Sequence, residues 1–92
     1  MKIFDVWAEW CAPCRKFGPI FSALSYEFPS VEFIKVNADE DPNFLFQYKI
    51  QSIPMILIVD EFDNLLFSHA GILTEVQLRA VLNTYVDSYI AK

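Results

Sequence analysis

The only two cysteines among the 92 residues lie in Trp10-Cys11-Ala12-Pro13-Cys14. Thiols at this spacing can close a small disulfide ring and open it again. A structural disulfide stabilises chiefly by constraining the unfolded chain, and a loop this short gains little from that effect. The spacing therefore suits electron transfer better than stapling. Where a strand hands over to a helix in a βαβ unit, a Cys-x-x-Cys pair reads as a redox motif. Two other readings stand beside it. One is half a zinc site, for which the chain offers His69 and carboxylates as further ligands; the other is two unrelated buried thiols.

A reactive thiol must be partly ionised at neutral pH, and the partial positive charge of a helix N-terminus stabilises the thiolate. Cys11 falls just before the expected helix. Cys14 falls one turn into it, on the same stripe as Phe17 and Phe21. Both sulfurs face one side, with Cys11 expected to be accessible and Cys14 shielded. Cys11 is then the thiol that attacks a substrate disulfide, and Cys14 the one that resolves the mixed disulfide. Pro13 stiffens the turn between them, whereas Arg15 and Lys16 read as a solvated helix face. Asp5 is the second unusual residue. A carboxylate flanked by Ile3, Phe4, Val6 and Trp7 is costly to bury ionised, so its pKa is expected to rise. It lies upstream of Cys14, where it could accept the proton that Cys14 loses, and Lys35 is the available counter-charge.

The elements that must position these groups are legible in the hydrophobic pattern. Ile3 to Ala8 is an apolar run suited to a strand buried on both faces. A helix opens at Ala12 or Pro13, since the first helical turn tolerates proline. Its stripe is Cys14, Phe17, Ile20, Phe21, Leu24 and Phe28, with a kink expected at Pro19, and Phe28-Pro29-Ser30 ends it. Val31 to Asn37 alternates as a strand. Asp41 and Pro42 open a short helix over Phe44 to Tyr48. Pro54 to Val59 is a β-rich run. Asp63-Asn64 turns it into Leu65 to His69 as a hairpin. Thr74 and Gln77 form a capping-box signature for a last helix, whose Leu78, Val81, Leu82, Tyr85 and Tyr89 share a face. The order β-α-β-α-β-β-α predicts an α/β fold. It has a four-stranded mixed sheet, a parallel first crossover, an antiparallel late hairpin, and helices on both faces.

Composition bounds the function. A chain of this length is expected to be one domain, residues 1–92. It is 54% hydrophobic and 16% aromatic, with nine phenylalanines, which is ample material for a small core. A net charge of −5 argues against nucleic-acid binding, which needs a basic face. No stretch has the length of a membrane span. Met1-Lys2-Ile3-Phe4-Asp5 meets an acid too early for a secretory signal, which favours the cytosol, where a cysteine pair is more often catalytic than structural.

The run Asp5-Val6-Trp7-Ala8-Glu9-Trp10-Cys11-Ala12-Pro13-Cys14-Arg15-Lys16 resembles the active-site signature of the thioredoxins. The likeness continues through Pro19, Lys35, Ser52-Ile53-Pro54 and Ala70-Gly71, nearly the whole chain. The resemblance implies a thioredoxin-like fold and a thiol-disulfide oxidoreductase. Cys11 would be the nucleophile and Cys14 the resolving thiol, with Asp5 as a buried acid-base group acting through water and Lys35 as its partner. Ile53-Pro54 would be a cis peptide facing the disulfide, with its backbone pairing to an extended substrate. Trp10, Ile53, Gly71 and Ile72 would border an apolar docking surface. The implied partners are disulfide-containing protein substrates and an NADPH-dependent flavoprotein reductase. No bound cofactor beyond the redox-active Cys11–Cys14 disulfide is implied, and the chain is expected to be monomeric.

Two departures from the pattern carry consequences. The family usually has a further strand and helix ahead of the active-site strand, so Val31 to Asn37 is expected to be a sheet edge, blunted by Glu32 and Lys35 or covered by a partner. Ala12 stands where glycine is usual between the cysteines, which bears on the direction of electron flow. His69 reads as an incidental strand residue, and Asp39, Glu40 and Asp41 read as a solvated loop without the spacing of a calcium site. Three functions remain: a reductant of protein disulfides, an oxidase or isomerase of thiols, and a binding subunit valued for its surface. A pure scaffold has no need of both thiols, and Asp5 with Trp10-Cys11 and Pro13-Cys14 favours the reductant.

Overall fold

Burial along the first strand follows from its central place. A computed structural model describes residues 1–90, with side chains through Asp87. In it β1 (Lys2–Trp7) lies between β2 (Glu32–Asn37), to which it is parallel, and β3 (Met55–Val59), to which it is antiparallel. β4 (Leu65–Ala70) pairs antiparallel with β3 and completes the sheet order β2-β1-β3-β4. Three helices connect and follow these strands: α1 (Ala12–Ser25), α2 (Pro42–Gln47) and α3 (Glu75–Ile90). The element order and the mixed four-stranded sheet are those the pattern predicts.

Alternation along β1 splits the core in two. Ile3 joins Ile56 and Ile58 beneath Phe17, Phe21 and Leu24 of α1 and Leu78 and Leu82 of α3. Phe4 and Val6 join Val36, Leu57 and Val59 on the other face, where Phe44, Leu45 and Tyr48 pack. The Phe4 and Phe44 rings meet edge to face at 4.8 Å, a favoured aromatic geometry. Helices therefore cover both faces. α3 is tied to the end of α1 by Arg79, which grips Glu27 through two hydrogen bonds of 2.8 and 2.9 Å.

Several boundaries differ from the sequence expectation, each for a local reason. α1 stops at Ser25, not at Phe28. The Tyr26 N–H bonds back to the Ala23 and Leu24 carbonyls and the Glu27 N–H to Leu24, tightening the last turn. Phe28 precedes Pro29, which disfavours helical backbone there, yet its ring stays buried in the core. Pro19 lies inside α1, as the pattern predicts. The short helix begins at Pro42 as expected, capped by the Asp41 carboxylate accepting from the Phe44 N–H at 3.1 Å, but it ends at Gln47 and not at Tyr48. β3 starts at Met55, one residue after Pro54. The hairpin turn is organised by Asp60 as well as by Asp63-Asn64. The Asp60 carboxylate accepts from the Phe62 and Asn64 N–H groups (2.8 and 3.0 Å) and from the Asn64 side-chain amide.

The capping box is formed reciprocally. The Gln77 N–H donates to Thr74 Oγ1 at 3.1 Å and the Thr74 N–H to Gln77 Oε1 at 3.0 Å. Thr74→Ala is expected to cost about 1 kcal/mol of stability, measured by urea unfolding, because one orphan amide loses its acceptor. Tyr89 shares the helix with the α3 core residues, but its side chain lies outside the described residues. As expected, β2 is an edge of this sheet, with Glu32 and Lys35 exposed on it. No helix among the described residues is long and apolar enough to cross a membrane.

Candidate active site

β1 delivers the chain to the dithiol. After Trp7 the backbone turns, with the Cys11 N–H donating to the Ala8 carbonyl at 3.1 Å. Cys11 is the N-cap of α1, in extended conformation, and Pro13 sits in the first helical turn. The Cys14 N–H donates to Cys11 Sγ at 3.3 Å. One of the helix's unpaired N-terminal amides therefore points at this sulfur, the arrangement that stabilises a thiolate. Cys11 and Cys14 are joined as a disulfide, with their Cα atoms 5.2 Å apart.

The expected asymmetry in exposure is not found. Cys11 is 5% exposed and Cys14 3% exposed. Cys11 and Cys14 cluster with Ala8, and Trp7 and Ile53 pack against that cluster. The difference between the two sulfurs lies instead in what surrounds them. Cys11 Sγ receives the helix amide, whereas Cys14 lines a cavity of about 380 Å³ that it shares with Asp5, Arg15, Gly18 and Lys35.

Asp5 is 1% exposed and its Oδ1 has no hydrogen-bond partner. Burial pushes its pKa up to about 6, with the Lys35 charge acting in the opposite direction. Lys35 stands directly opposite Asp5 in the β1–β2 register, so the parallel pairing puts both on the same face of the sheet. The lysine remains exposed, and no direct ion pair joins the two. A Cβ on Gly18 would lie 3.6 Å from Lys35 Nζ, which places the ammonium over α1 at the cavity wall.

On the other side of the dithiol, Ile53-Pro54 is a cis peptide and Ile53 packs against the cysteine cluster. The Pro54 carbonyl is taken by the Gly71 N–H at 2.8 Å, while the backbone of Ile53 has no such partner among the described residues. Gly71 has a φ of 102°, a conformation that side chains disfavour, and so turns the chain out of β4 beside Pro54. Trp10 and Ile72 are exposed apolar side chains, at 69% and 39%. His69 lies half-buried in β4 opposite Ile56. Among the described residues no cluster of three or more His, Cys, Asp or Glu side chains could hold a metal ion.

Two contacts here were not legible in the sequence. Trp10 Nε1 donates to Asp39 Oδ2 at 3.0 Å, so the loop taken as merely solvated orients the exposed indole. Arg15 donates to the Glu9 carbonyl at 2.9 Å, so it braces the turn before Trp10 and is more than a solvated charge. Neither contact has a local signal, because the first joins residues 29 positions apart and the second depends on the path of a turn.

The thioredoxin family model matches residues 1–84, which include every residue of this site. The chain belongs to the thioredoxin family. It is 44% identical over 59 residues to the thioredoxin of Mycoplasma pneumoniae, an alignment covering 64% of this chain and 58% of that protein. It is 36% identical over 80 residues to a putative thioredoxin 2 of Streptomyces coelicolor, covering 87% and 59%. It is 32% identical over 86 residues to the thioredoxin of Porphyra purpurea, covering 92% and 79%. The chain thus spans somewhat under three fifths of the first two of these thioredoxins. Membership agrees with the sheet order, the cis proline and the Cys-x-x-Cys pair at the start of α1.

Proposed function

We propose that this chain is a thioredoxin-type thiol-disulfide oxidoreductase that reduces protein disulfides in a reducing compartment such as the cytosol. The observation that carries this reading is the disulfide's position between two unlike environments, a helix amide on Cys11 Sγ and the Asp5 cavity beside Cys14.

In the reduced protein, Cys11 as thiolate attacks one sulfur of a substrate disulfide. A Cys11–substrate bond forms, the substrate S–S bond breaks, and one substrate thiolate leaves. Cys14 then attacks Cys11 Sγ. This forms the Cys11–Cys14 bond, breaks the mixed disulfide and releases the second substrate thiolate, so two electrons pass from the dithiol to the substrate. Cys14 must lose its proton for the second step. Asp5, ionised above its raised pKa of about 6, accepts it through water in the shared cavity. Lys35 on the same wall stabilises the carboxylate. Trp10, Ile53, Pro54, Gly71 and Ile72 form the docking surface, where the unpaired Ile53 backbone can pair with an extended substrate. Pro13 and Pro19 act structurally, in the first turn and the body of α1. An NADPH-dependent flavoprotein reductase is the proposed source of electrons.

The reduction potential of the Cys11–Cys14 pair tests the direction. Equilibration against a dithiothreitol or glutathione buffer is expected to give about −270 mV, the value of a reductant. A value in the range of roughly −180 to −120 mV belongs to isomerases and strong oxidants; it would reverse the assignment and make Ala12, in place of the usual glycine, the first residue to substitute.

A further inference from the structure

Beside the dithiol, on the side away from Asp5, lies a second cavity of about 310 Å³ between Trp10 and the segment that follows α2. Trp10, Ala38, Leu45, Ile50 and Ile53 form its apolar wall, and the uncharged polar residues Gln51 and Ser52 line it as well. Among the described residues Asp39 is the only charged one lining it, and it is exposed. One carboxylate oxygen, Oδ2, accepts from the Trp10 indole, and no donor among the described residues engages Oδ1. Exposed Glu9 and Glu40 neighbour Trp10 and Asp39 in the chain and exposed Lys49 neighbours Ile50, while no lysine or arginine among the described residues lines the cavity itself. Ile53 belongs both to the cavity wall and to the cluster around Cys11 and Cys14. A chain held with its cysteine at Cys11 therefore carries its neighbouring side chains past this groove.

We propose that this groove is a subsite selecting disulfide substrates that carry a lysine or arginine beside the reacting cysteine. The aliphatic stem of such a residue lies along Ile50, Ile53 and the Trp10 ring, and its cationic head meets the Asp39 carboxylate. The complementarity is of both kinds. A long methylene stem removes apolar wall from water while its charge stays at the wet rim. The Trp10 ring also offers its face to the cation. An acidic neighbour in the substrate meets like charge at the same place. The proposal rests on the disulfide-exchange reading above and adds to it a substrate class.

The test compares reduction of two disulfide-bridged peptides identical except for one residue next to the reactive cysteine, lysine in one and glutamate in the other. Exposed charge pairs of this kind correspond to a difference of roughly two- to fivefold, so KM for the lysine peptide is expected to be lower by about that factor. Asp39→Asn keeps an oxygen acceptor for the Trp10 indole while removing the charge, and is expected to bring the ratio close to one. Glu61→Gln makes the same change of net charge in the β3–β4 loop, at the opposite end of the sheet, and is expected to leave the ratio as it was. High salt is expected to narrow the wild-type ratio, because screening acts on exposed charges. Equal KM values for the two peptides in wild type would overturn the proposal, as would a ratio that survives Asp39→Asn. Failure of wild type to reduce either peptide would instead overturn the disulfide-exchange reading itself.

Discussion

Cys11→Ser is expected to reduce the rate of disulfide reduction to background, and Cys14→Ser to convert the protein into a trap that holds its substrate covalently. The two outcomes differ because the sulfurs have different neighbours. Cys11 Sγ caps α1 and receives the Cys14 amide, so it is the sulfur stabilised as thiolate, and a serine hydroxyl there is not an anion at neutral pH. In Cys14→Ser the first exchange still proceeds, because Cys11 and its helix terminus are retained. The mixed disulfide then has no internal thiol to resolve it. Incubation with a disulfide-containing protein, followed by non-reducing electrophoresis and mass spectrometry, should show a one-to-one adduct for Cys14→Ser and none for Cys11→Ser. An adduct on Cys14 in the Cys11→Ser variant would exchange the two assignments. Both variants should keep the native circular dichroism spectrum, because the pair closes only a very short loop and the cores on the two faces of the sheet are built from other side chains.

Asp5→Asn is expected to make the protein more stable and less active, with both effects governed by pH. Burial raises the folded-state pKa of Asp5 from 3.8 to about 6. Between these values the folded chain holds a proton that the unfolded chain has already lost, so stability falls as pH rises through this window. Below it both states are protonated and burial of the ionised form costs nothing. Above it the whole cost is present, about 3 kcal/mol for a shift from 3.8 to about 6. Asparagine cannot ionise and avoids that cost. The stability advantage of Asp5→Asn over wild type should therefore be small near pH 4 and grow to about 3 kcal/mol at pH 8. For a domain of this size the advantage at pH 8 is a rise in Tm of more than roughly 10 °C. Urea unfolding at the two pH values measures it, and equal differences at both would show that ionisation of Asp5 is not the cause.

Activity should move the other way. If Asp5 takes the Cys14 proton, its loss slows turnover most near pH 7, where the thiol needs a base. The loss should slow turnover least near pH 9, where hydroxide in solution can take the proton in place of the carboxylate. Equal slowing at both pH values would leave Asp5 without a proton-transfer role. The unpartnered Oδ1 and the stability lost by keeping a carboxylate in the core are then understandable together. The position that leaves Oδ1 unpartnered also faces the same cavity as Cys14.

Local chemistry in the sequence was enough to determine most of the scaffold. The helix starts at Ala12, Pro42 and Glu75 rest on proline tolerance and side-chain caps within a few residues. The strands follow from runs and alternations of apolar residues. The Cys11–Cys14 pair and the burial of Asp5 also follow from residue types read in their immediate context. What the sequence could not determine are the relations that depend on distant segments meeting. Parallel pairing of β1 with β2 sets Lys35 opposite Asp5, and packing of the β3 approach against Ala8 brings Ile53 onto the cysteines. The Trp10–Asp39 hydrogen bond joins residues 29 positions apart, and the hairpin loop is organised by Asp60, although the turn signal lay in Asp63-Asn64. The near-equal burial of Cys11 and Cys14 contradicted the helical-stripe argument for a similar reason. A stripe ranks residues by their angle on one helix, whereas Ile53 and Trp7, from other segments, pack against the cluster that holds both cysteines. Side-chain periodicity and capping are short-range forces written in adjacent residues. Solvent exclusion and electrostatics at a site are sums over every segment that packs there, and only the tertiary structure fixes which segments those are.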